Sequence, residues 1–381
     1  MYNSRIAILT QPLGHNYGGL LQAYALQVYL KKLGCEVETL DRRTADAGRI
    51  SAKRYVINVA KLLLGRIKSL PTASREAWVL KALADFREKR LDMSPKILSE
   101  QEIRGYYRQR NFDAFVVGSD QVWRPRYSPS ILNFYLNFLD DIKSPAKRIA
   151  YAASFGVDEW EYSDVETEQC KKLAQKFDAI SVREQSAIEL CHDKLGIRAQ
   201  WVVDPTLLLD REDYEQLIVD CGKNSYAGCV LSYVLDPAAE KRSIADRVGC
   251  ALGADVFSIK PEYSITQVCA GDIAKCRLPS VESWLQAFHG AQFVVTDSFH
   301  GTVFSILFNK PFIAVGNSVR GMARFQSLLS QFGLSERLVE SAGDVTPELL
   351  HCQIEWGPVN DKREALARAG QQFLHTQLWG S

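Results

Sequence analysis

The stretch Val294-Val295-Thr296-Asp297-Ser298-Phe299-His300-Gly301-Thr302 concentrates more chemistry than any other short span of the chain. Phe293-Val294-Val295 reads as a buried strand and Thr302 to Phe308 as a helix, so the polar residues fall on the turn between them. In open α/β sheets, ligands bind at such carboxyl ends of strands. His300 can move a proton near neutral pH. Gly301 lets the backbone turn and a ligand approach closely. A helix N-terminus leaves N–H groups unpaired and so receives anions readily. One turn thus supplies a proton carrier and an anion cradle. The plainer alternative is that Ser298 or Asp297 caps the helix and His300 is a half-buried ring with a satisfied partner. Local sequence fits both.

Other chemistry-bearing residues also sit at predicted strand ends. After Arg5-Ile6-Ala7-Ile8-Leu9-Thr10 comes a Gly-rich turn, Gly14-His15-Asn16-Tyr17-Gly18-Gly19. Its spacing is not that of a dinucleotide fingerprint. It can still present backbone N–H groups to an anion, with Asn16 and Tyr17 adding hydrogen bonds, or it is a plain tight turn. Phe112-Asp113-Ala114-Phe115-Val116-Val117 runs into Gly118-Ser119-Asp120-Gln121-Val122-Trp123. Trp123 either forms the apolar face of a sugar site or packs in the core. Ala179-Ile180-Ser181-Val182 ends at Arg183, which serves an anion or pairs with Glu184 or another acid. Arg320 and Arg324 lie in and just after a polar loop that follows Pro311-Phe312-Ile313-Ala314-Val315.

These turns need a scaffold of alternating strands and helices, and the chain has it. Helices are expected over Leu20–Leu33, Ala77–Arg90, Asp164–Lys176, Ala238–Leu252, Ser280–His289 and Asp361–Leu378, between the strands above and further ones at Cys35–Leu40, Lys147–Gly156, Cys229–Leu235 and Asp255–Ile259. The 381 residues allow two domains with cores of their own. The expected division is an N-terminal α/β lobe over 1–205, a C-terminal lobe over 206–358 that carries the His300 turn, and a final helix over 359–381 that packs back on the first lobe. Residues 42–110 interrupt the α/β rhythm. From Arg42 to Arg90 there are 13 Lys/Arg against 4 Asp/Glu, which leaves about −8 for the rest of a chain whose formal charge is +1. Within this insertion, Val56, Val59, Ala60, Leu63 and Ile67 share a helical face, with Arg54, Lys61 and Lys68 opposite. Such a helix packs on the body with its basic face to water, which is the expectation here, or rests on an anionic membrane.

Near-neutral charge gives no general attraction to nucleic acid. The nine cysteines are scattered without a CxxC pair, which points to free thiols in a reducing compartment. Neither a signal-peptide pattern nor an apolar run of membrane-spanning length is present. A cytoplasmic protein is expected, and no acidic cluster suits an essential metal.

Taken in order, Asn16-Tyr17-Gly18-Gly19, Val117-Gly118-Ser119-Asp120-Gln121-Val122-Trp123, Tyr151-Ala152-Ala153-Ser154-Phe155-Gly156, Ser181-Val182-Arg183-Glu184, Asp204-Pro205-Thr206 and Thr296-Asp297-Ser298-Phe299-His300-Gly301 resemble the polysaccharide pyruvyl transferase family. The resemblance runs from about Arg5 to Gln331. It implies two facing Rossmann-like lobes of the GT-B type with the site in the cleft. It also implies transfer of pyruvate from phosphoenolpyruvate to two hydroxyls of a sugar, as a cyclic ketal, in bacterial-type polysaccharide synthesis. That chemistry needs one acid/base group, cations for a carboxylate and a phosphate, and a sugar platform.

On the resemblance, His300 transfers the proton and Arg183 binds phosphoenolpyruvate through its planar fork. Ser298, Arg320 and Arg324 are further candidates for the donor, on loop placement. Asn16, Tyr17, Gly18, Gly19, Gln121 and Trp123 are candidates for the acceptor, and Asp120 for deprotonating its hydroxyl. No cofactor is required, because phosphoenolpyruvate carries its own activation. The acceptor is a nucleotide sugar, a lipid-linked saccharide or a polymer. The basic insertion suits a polyprenyl-diphosphate-linked saccharide at the inner membrane face. Two rivals stand: a GT-B glycosyltransferase using a nucleotide sugar, and a two-lobed protein that binds an anion without turnover.

Overall fold

The computed structural model describes residues 4–44, 52–142, 144–222, 226–236, 238–316 and 322–380. Two parallel sheets form its two α/β lobes. The first holds β1 (Arg5–Leu9), β2 (Glu36–Arg42), β3 (Met93–Ile97), β4 (Ala114–Val117), β5 (Lys147–Ala153), β6 (Ala179–Val182) and β7 (Gln200–Trp201), in the order β3-β2-β1-β4-β5-β6-β7. The second holds β8 (Val230–Tyr233), β9 (Val256–Phe257), β10 (Phe293–Thr296), β11 (Phe312–Val315) and β12 (Leu338–Val339), in the order β12-β11-β10-β8-β9. Purely parallel sheets are covered on both faces, so their central strands read as continuous apolar runs. β4 and β10 are buried at every position.

Strand order explains where the site lies. In the first sheet the chain leaves β1 toward β2 and β3, then returns to lay β4 on the other side of β1. In the second, β9 and β10 flank β8 in the same way. Each reversal opens a crevice at the strands' carboxyl ends, where ligands bind in such sheets. The loops after β1, β4, β8 and β10 border these crevices.

One boundary differs from expectation in a way that matters. The helix expected from Leu20 spans Tyr17–Lys32, so Gly18 and Gly19 lie in its first turn and not in a loop. Glycine costs about 1 kcal/mol in a helix relative to alanine. Here Asn16 offsets part of that cost as N-cap, its side chain accepting from the Gly18 N–H at 3.1 Å, and Tyr17 to Leu20 are all buried.

The insertion of the first lobe reaches across to the second. The Lys68 N–H donates to Thr266 O at 2.8 Å, the Ser69 hydroxyl to Ile265 O at 2.7 Å, and the Leu278 N–H to Val79 O at 3.1 Å. Its first helix, Ala52–Leu63, contradicts the expected packing. Of the five residues expected on a packed face, Val56, Ala60 and Leu63 are exposed and Val59 and Ile67 half-buried; among the helix's described side chains Asn58, Val59 and Leu62 turn partly inward. Lys61 and Lys68 are exposed too, while the Arg54 side chain lies outside the described residues. The final helix, Trp356–Trp379, lies against the first lobe: Lys147 donates to Gln377 O and Leu378 O, and Phe373 packs on Tyr151. Among the described residues no helix is long and apolar enough to cross a membrane.

Candidate active site

Arg183 directly follows β6 and is buried, its side chain 1 % exposed, among three carboxylates. Its Nη1 lies 2.7 Å from Asp204 Oδ2, its Nη2 3.6 Å from Asp120 Oδ1, and its Nε 3.9 Å from Glu184 Oε2. Of these contacts the one to Asp204 is a hydrogen bond; Nη2 and Nε are buried with no hydrogen-bond partner among the described residues. Burial alone would lower the guanidinium's pKa, but Asp204, Asp120 and Glu184 outweigh it and hold the group above its ordinary value.

Asp204 is the hub. Its Oδ1 accepts from the Thr206 N–H and hydroxyl at 3.0 and 2.7 Å, and its Oδ2 from Arg183. The second lobe contributes His300, whose Nε2 stands 3.6 Å from the same Oδ2 and makes no hydrogen bond among the described residues. Burial alone would raise the Asp204 pKa. His300 and Arg183 more than reverse this, and the carboxyl sits well below the usual carboxylate range.

His300 is only 6 % exposed because the first lobe covers it. A Cβ built on Gly18 would overlap its ring, so at this position the helix can approach His300 only as glycine. The neighbouring Tyr17 fixes that approach: its hydroxyl donates to Pro279 O at 2.7 Å and its ring stacks on Trp284 at 5.6 Å. The N-termini of helices Tyr17–Lys32 and Phe299–Leu307 therefore meet at His300, one from each lobe. Both favour negative charge.

Phe299 carries the cationic side of the site. The Arg183 guanidinium stands 4.3 Å from its ring centroid and that of Arg324 6.0 Å. Burial and the neighbouring Arg183 push Arg324 down to about 10, so both arginines remain cations at neutral pH.

The sequence-predicted residues now fall into groups. His300, Arg183, Arg324 and Asp120 share the cleft, together with Gly18. Asp120 holds a left-handed backbone, φ 66°, that turns it toward Arg183. Ser298 borders the cleft as the N-cap of its helix, accepting from the Gly301 N–H at 3.3 Å. Asn16 is likewise a cap, and Gly19 packs on it. The Gln121 amide accepts from Arg124 at 3.2 Å and lies against Gly156. Arg320 lies outside the described residues.

Two expectations fail. Trp123 offers no sugar platform: it is fully buried, stacks on Tyr135 at 5.0 Å and donates to Phe134 O. Tyr17 has its hydroxyl and ring engaged by the second lobe, as above, and so presents neither to an acceptor. Asp297, the other capping candidate, is buried and accepts from the Leu235 and Asp236 N–H groups and from Lys241.

Of the acids offered as partners of Arg183, Glu184 lies 3.9 Å away, and Asp204, which sequence placed only in the ordered motifs, makes the hydrogen bond. Glu184 ties down the turn after β5, its Oε1 accepting from the Ser154 hydroxyl and the Phe155 and Gly156 N–H groups. Their signal was their place in the ordered strand-end motifs. What sequence reasoning lacked was that Asp204 joins Arg183 to His300 of the other lobe. Beyond Asp297, a cavity of about 980 Å³ opens at the ends of β8 and β9, lined by Ser232, Leu235, Asp236, Lys260 and Tyr263, and by Asn58 of the insertion. It contains neither His300 nor Arg183.

Comparison with known proteins follows the same outline. The family model described as polysaccharide pyruvyl transferase matches residues 16–319. No curated protein matches the chain. Among solved structures, the glycotransferase of kitacinnamycin aligns at 13% identity with a TM-score of 0.52 over 100% of both chains. The UDP-GlcNAc 2-epimerase from Neisseria meningitidis bound to UDP-GlcNAc aligns at 8% identity and 0.56, over 98% of this chain and 99% of that one. S. aureus MnaA with UDP aligns at 12% identity and 0.53, over 98% and 95%. At such identities the likeness concerns the fold, which is that of two Rossmann-like lobes of the GT-B type.

Proposed function

The chain belongs to the polysaccharide pyruvyl transferase family, and from that premise we propose that it transfers pyruvate from phosphoenolpyruvate to two hydroxyls of a sugar, as a cyclic ketal. The observation that carries the reading is the buried Arg183, with two guanidinium nitrogens lacking hydrogen-bond partners among the described residues, beside Arg324 and His300. A small dense anion carrying a carboxylate and a phosphate matches that demand.

The steps follow from the charges. Phosphoenolpyruvate binds with its anionic groups toward Arg183, Arg324, the Ser298 hydroxyl and the two facing helix N-termini. Protonated His300 gives a proton to the methylene carbon, which becomes a methyl group, and positive charge develops at the neighbouring carbon. Asp204, 3.6 Å from Nε2, places a carboxylate beside the imidazole while the proton moves. An acceptor hydroxyl attacks that carbon and its proton passes to His300, or to Asp120. Phosphate leaves with its electron pair. The second hydroxyl closes the ring and its proton ends on the phosphate. One ketal and one inorganic phosphate result, and no cofactor enters. Asn16, Gly18, Gly19 and Gln121 line the acceptor side from the first lobe.

The test is calorimetric titration with phosphoenolpyruvate, UDP and GDP, joined to an assay of acceptor-dependent phosphate release. Wild type binds phosphoenolpyruvate, and Arg183→Ala and Arg324→Gln lose at least tenfold in affinity. Because Arg183→Ala strands three buried carboxylates and loses roughly 3–5 kcal/mol of stability, Arg324→Gln is titrated beside it and urea unfolding checks that each variant is folded. Nucleotide binding without any response to phosphoenolpyruvate, alone or with acceptor, would replace this reading by a glycosyltransferase.

A further inference from the structure

We infer that helix Ala52–Leu63 and the residues just after it form a docking surface for an anionic lipid bilayer. The inference goes beyond pyruvyl transfer and does not depend on it. Large apolar side chains are rarely left exposed in a cluster unless something covers them. Among the described residues eleven are exposed, and five of these, Tyr55, Val56, Ile57, Leu63 and Leu64, fall within ten consecutive positions. Leu63 is 83% exposed, Leu64 68% and Val56 65%. Among the helix's described side chains, Asn58, Val59 and Leu62 are the half-buried ones, so the exposed five lie away from the body.

Charge selects the occupant. From Ala52 to Lys68 the chain holds Lys53, Arg54, Lys61, Arg66 and Lys68 and no acidic residue. Lys61, Arg66 and Lys68 are exposed, and among the described residues no carboxylate pairs with them. Apolar side chains flanked by unpaired cations suit an anionic interface: the former enter the acyl boundary while the latter meet lipid headgroups. A second copy of the chain would bring the same positive charge against itself, and a neutral apolar partner would leave the cations unused.

Position gives the docking a consequence. Asn58 of the same helix lines the 980 Å³ cavity, and so does the exposed Tyr263. A protein seated through Val56, Leu63 and Leu64 therefore opens this cavity close to the lipid headgroups, where a saccharide carried on a lipid anchor would be presented.

The test is co-sedimentation of the full chain with phosphatidylcholine vesicles, with and without 30 % phosphatidylglycerol. Wild type pellets with the anionic vesicles, at least tenfold more tightly than with the neutral ones, and salt weakens the binding. The triple variant Lys61→Glu/Arg66→Glu/Lys68→Glu loses on the order of a hundredfold in affinity. Leu63→Ser/Leu64→Ser loses at least tenfold with its charges intact. In Leu64→Trp, indole emission shifts to the blue on anionic vesicles. Absence of wild-type binding, or equal binding by the triple variant, overturns the inference. So does a dimer in sedimentation equilibrium that Leu63→Ser/Leu64→Ser dissolves, with no vesicle binding. Phosphoenolpyruvate titration of the same variants stays at the wild-type value, so failure here and failure of the pyruvyl reading are separate results.

Discussion

Two turns of this molecule look alike in sequence and serve differently. Gly118-Ser119-Asp120-Gln121-Val122-Trp123 follows β4, and Thr296-Asp297-Ser298-Phe299-His300 follows β10. Each leaves a buried parallel strand, and each mixes small, acidic and aromatic residues. In the first, the aromatic residue is core: Trp123 is sealed between Tyr135 and Phe155. In the second, Phe299 stays at the cleft with Arg183 over its ring, and the ionisable residue beside it faces the other lobe. The two turns converge on one carboxylate. The Ser119 hydroxyl lies 3.4 Å from Asp204 Oδ2 and His300 Nε2 lies 3.6 Å from it. A strand-end turn thus presents a side chain to the cleft only where its own lobe leaves it uncovered: Tyr135 and Phe155 seal Trp123, whereas Phe299 and His300 meet residues of the other lobe.

The sharpest way to break the comparison is to remove one ring from each turn. His300→Ala should reduce acceptor-dependent phosphate release by about 10²- to 10⁴-fold, as expected for a lost acid/base group, while urea unfolding shows a folded protein with cooperative melting. Turnover near the wild-type value would end the proton-transfer assignment and leave His300 as a contact between lobes. Trp123→Ala should do the opposite. It should lose roughly 3–5 kcal/mol of stability, with the phosphoenolpyruvate dissociation constant unchanged in the fraction that remains folded. A specific rise in acceptor KM for the milder Trp123→Phe would restore Trp123 to the sugar site.

A smaller effect tests the carboxylate the turns share. The folded-state pKa of Asp204 is depressed, so its stabilising contribution is fully present above the ordinary aspartate value, about 3.9, and is lost as pH falls from there toward the depressed value. Unfolding free energy measured by urea between pH 6 and pH 2.5 should therefore fall more steeply in wild type than in Asp204→Asn below about pH 4. The difference is at most about 1.4 kcal/mol per pH unit for one group. Parallel slopes would mean that Asp204 is not held ionised by Arg183 and His300.

Much of this was legible in the sequence, and what escaped has physical reasons. Strands buried on both faces, such as Ala114–Val117 and Phe293–Thr296, read as unbroken apolar runs. β3 escaped because it is a polar edge strand containing Pro95, where the pattern of a central strand is absent. Helix Glu100–Arg110 escaped although Ser99 and Glu102 form a recognisable start, Ser99 accepting from the Glu102 N–H. Gly18 and Gly19 read as loop because glycine's low helix propensity is visible in sequence, while the Asn16 cap and the burial that make the helix start there are not. His300 and Arg183 were legible as residue types at strand ends. Their meeting through Asp204 was not, since Arg183 and His300 lie in different lobes and nothing in either local stretch encodes the contact. The apolar face of Ala52–Leu63 misled for the opposite reason: an amphipathic pattern states that a face seeks cover, not where the cover is.

The smallest effect expected concerns Ser298, where the two turns' uses of polar residues overlap. Its oxygen accepts the Gly301 N–H, which leaves the hydroxyl hydrogen free to donate to an anion at the same helix N-terminus. Ser298→Ala removes both functions, so it should cost about 1 kcal/mol of stability and raise the phosphoenolpyruvate KM about tenfold, and by itself cannot tell cap from ligand. Ser298→Asp can. Aspartate caps as well as serine and favours the helix dipole, so stability should stay within a few tenths of a kcal/mol of wild type. Its carboxylate, however, would stand where the donor's negative charge is proposed to lie, and the KM should rise further than in Ser298→Ala. If Ser298→Asp kept both wild-type stability and wild-type KM, Ser298 would be a cap alone, like Asn16 in the first lobe. The donor anion would then have to sit nearer Arg183 and Arg324 than the helix end.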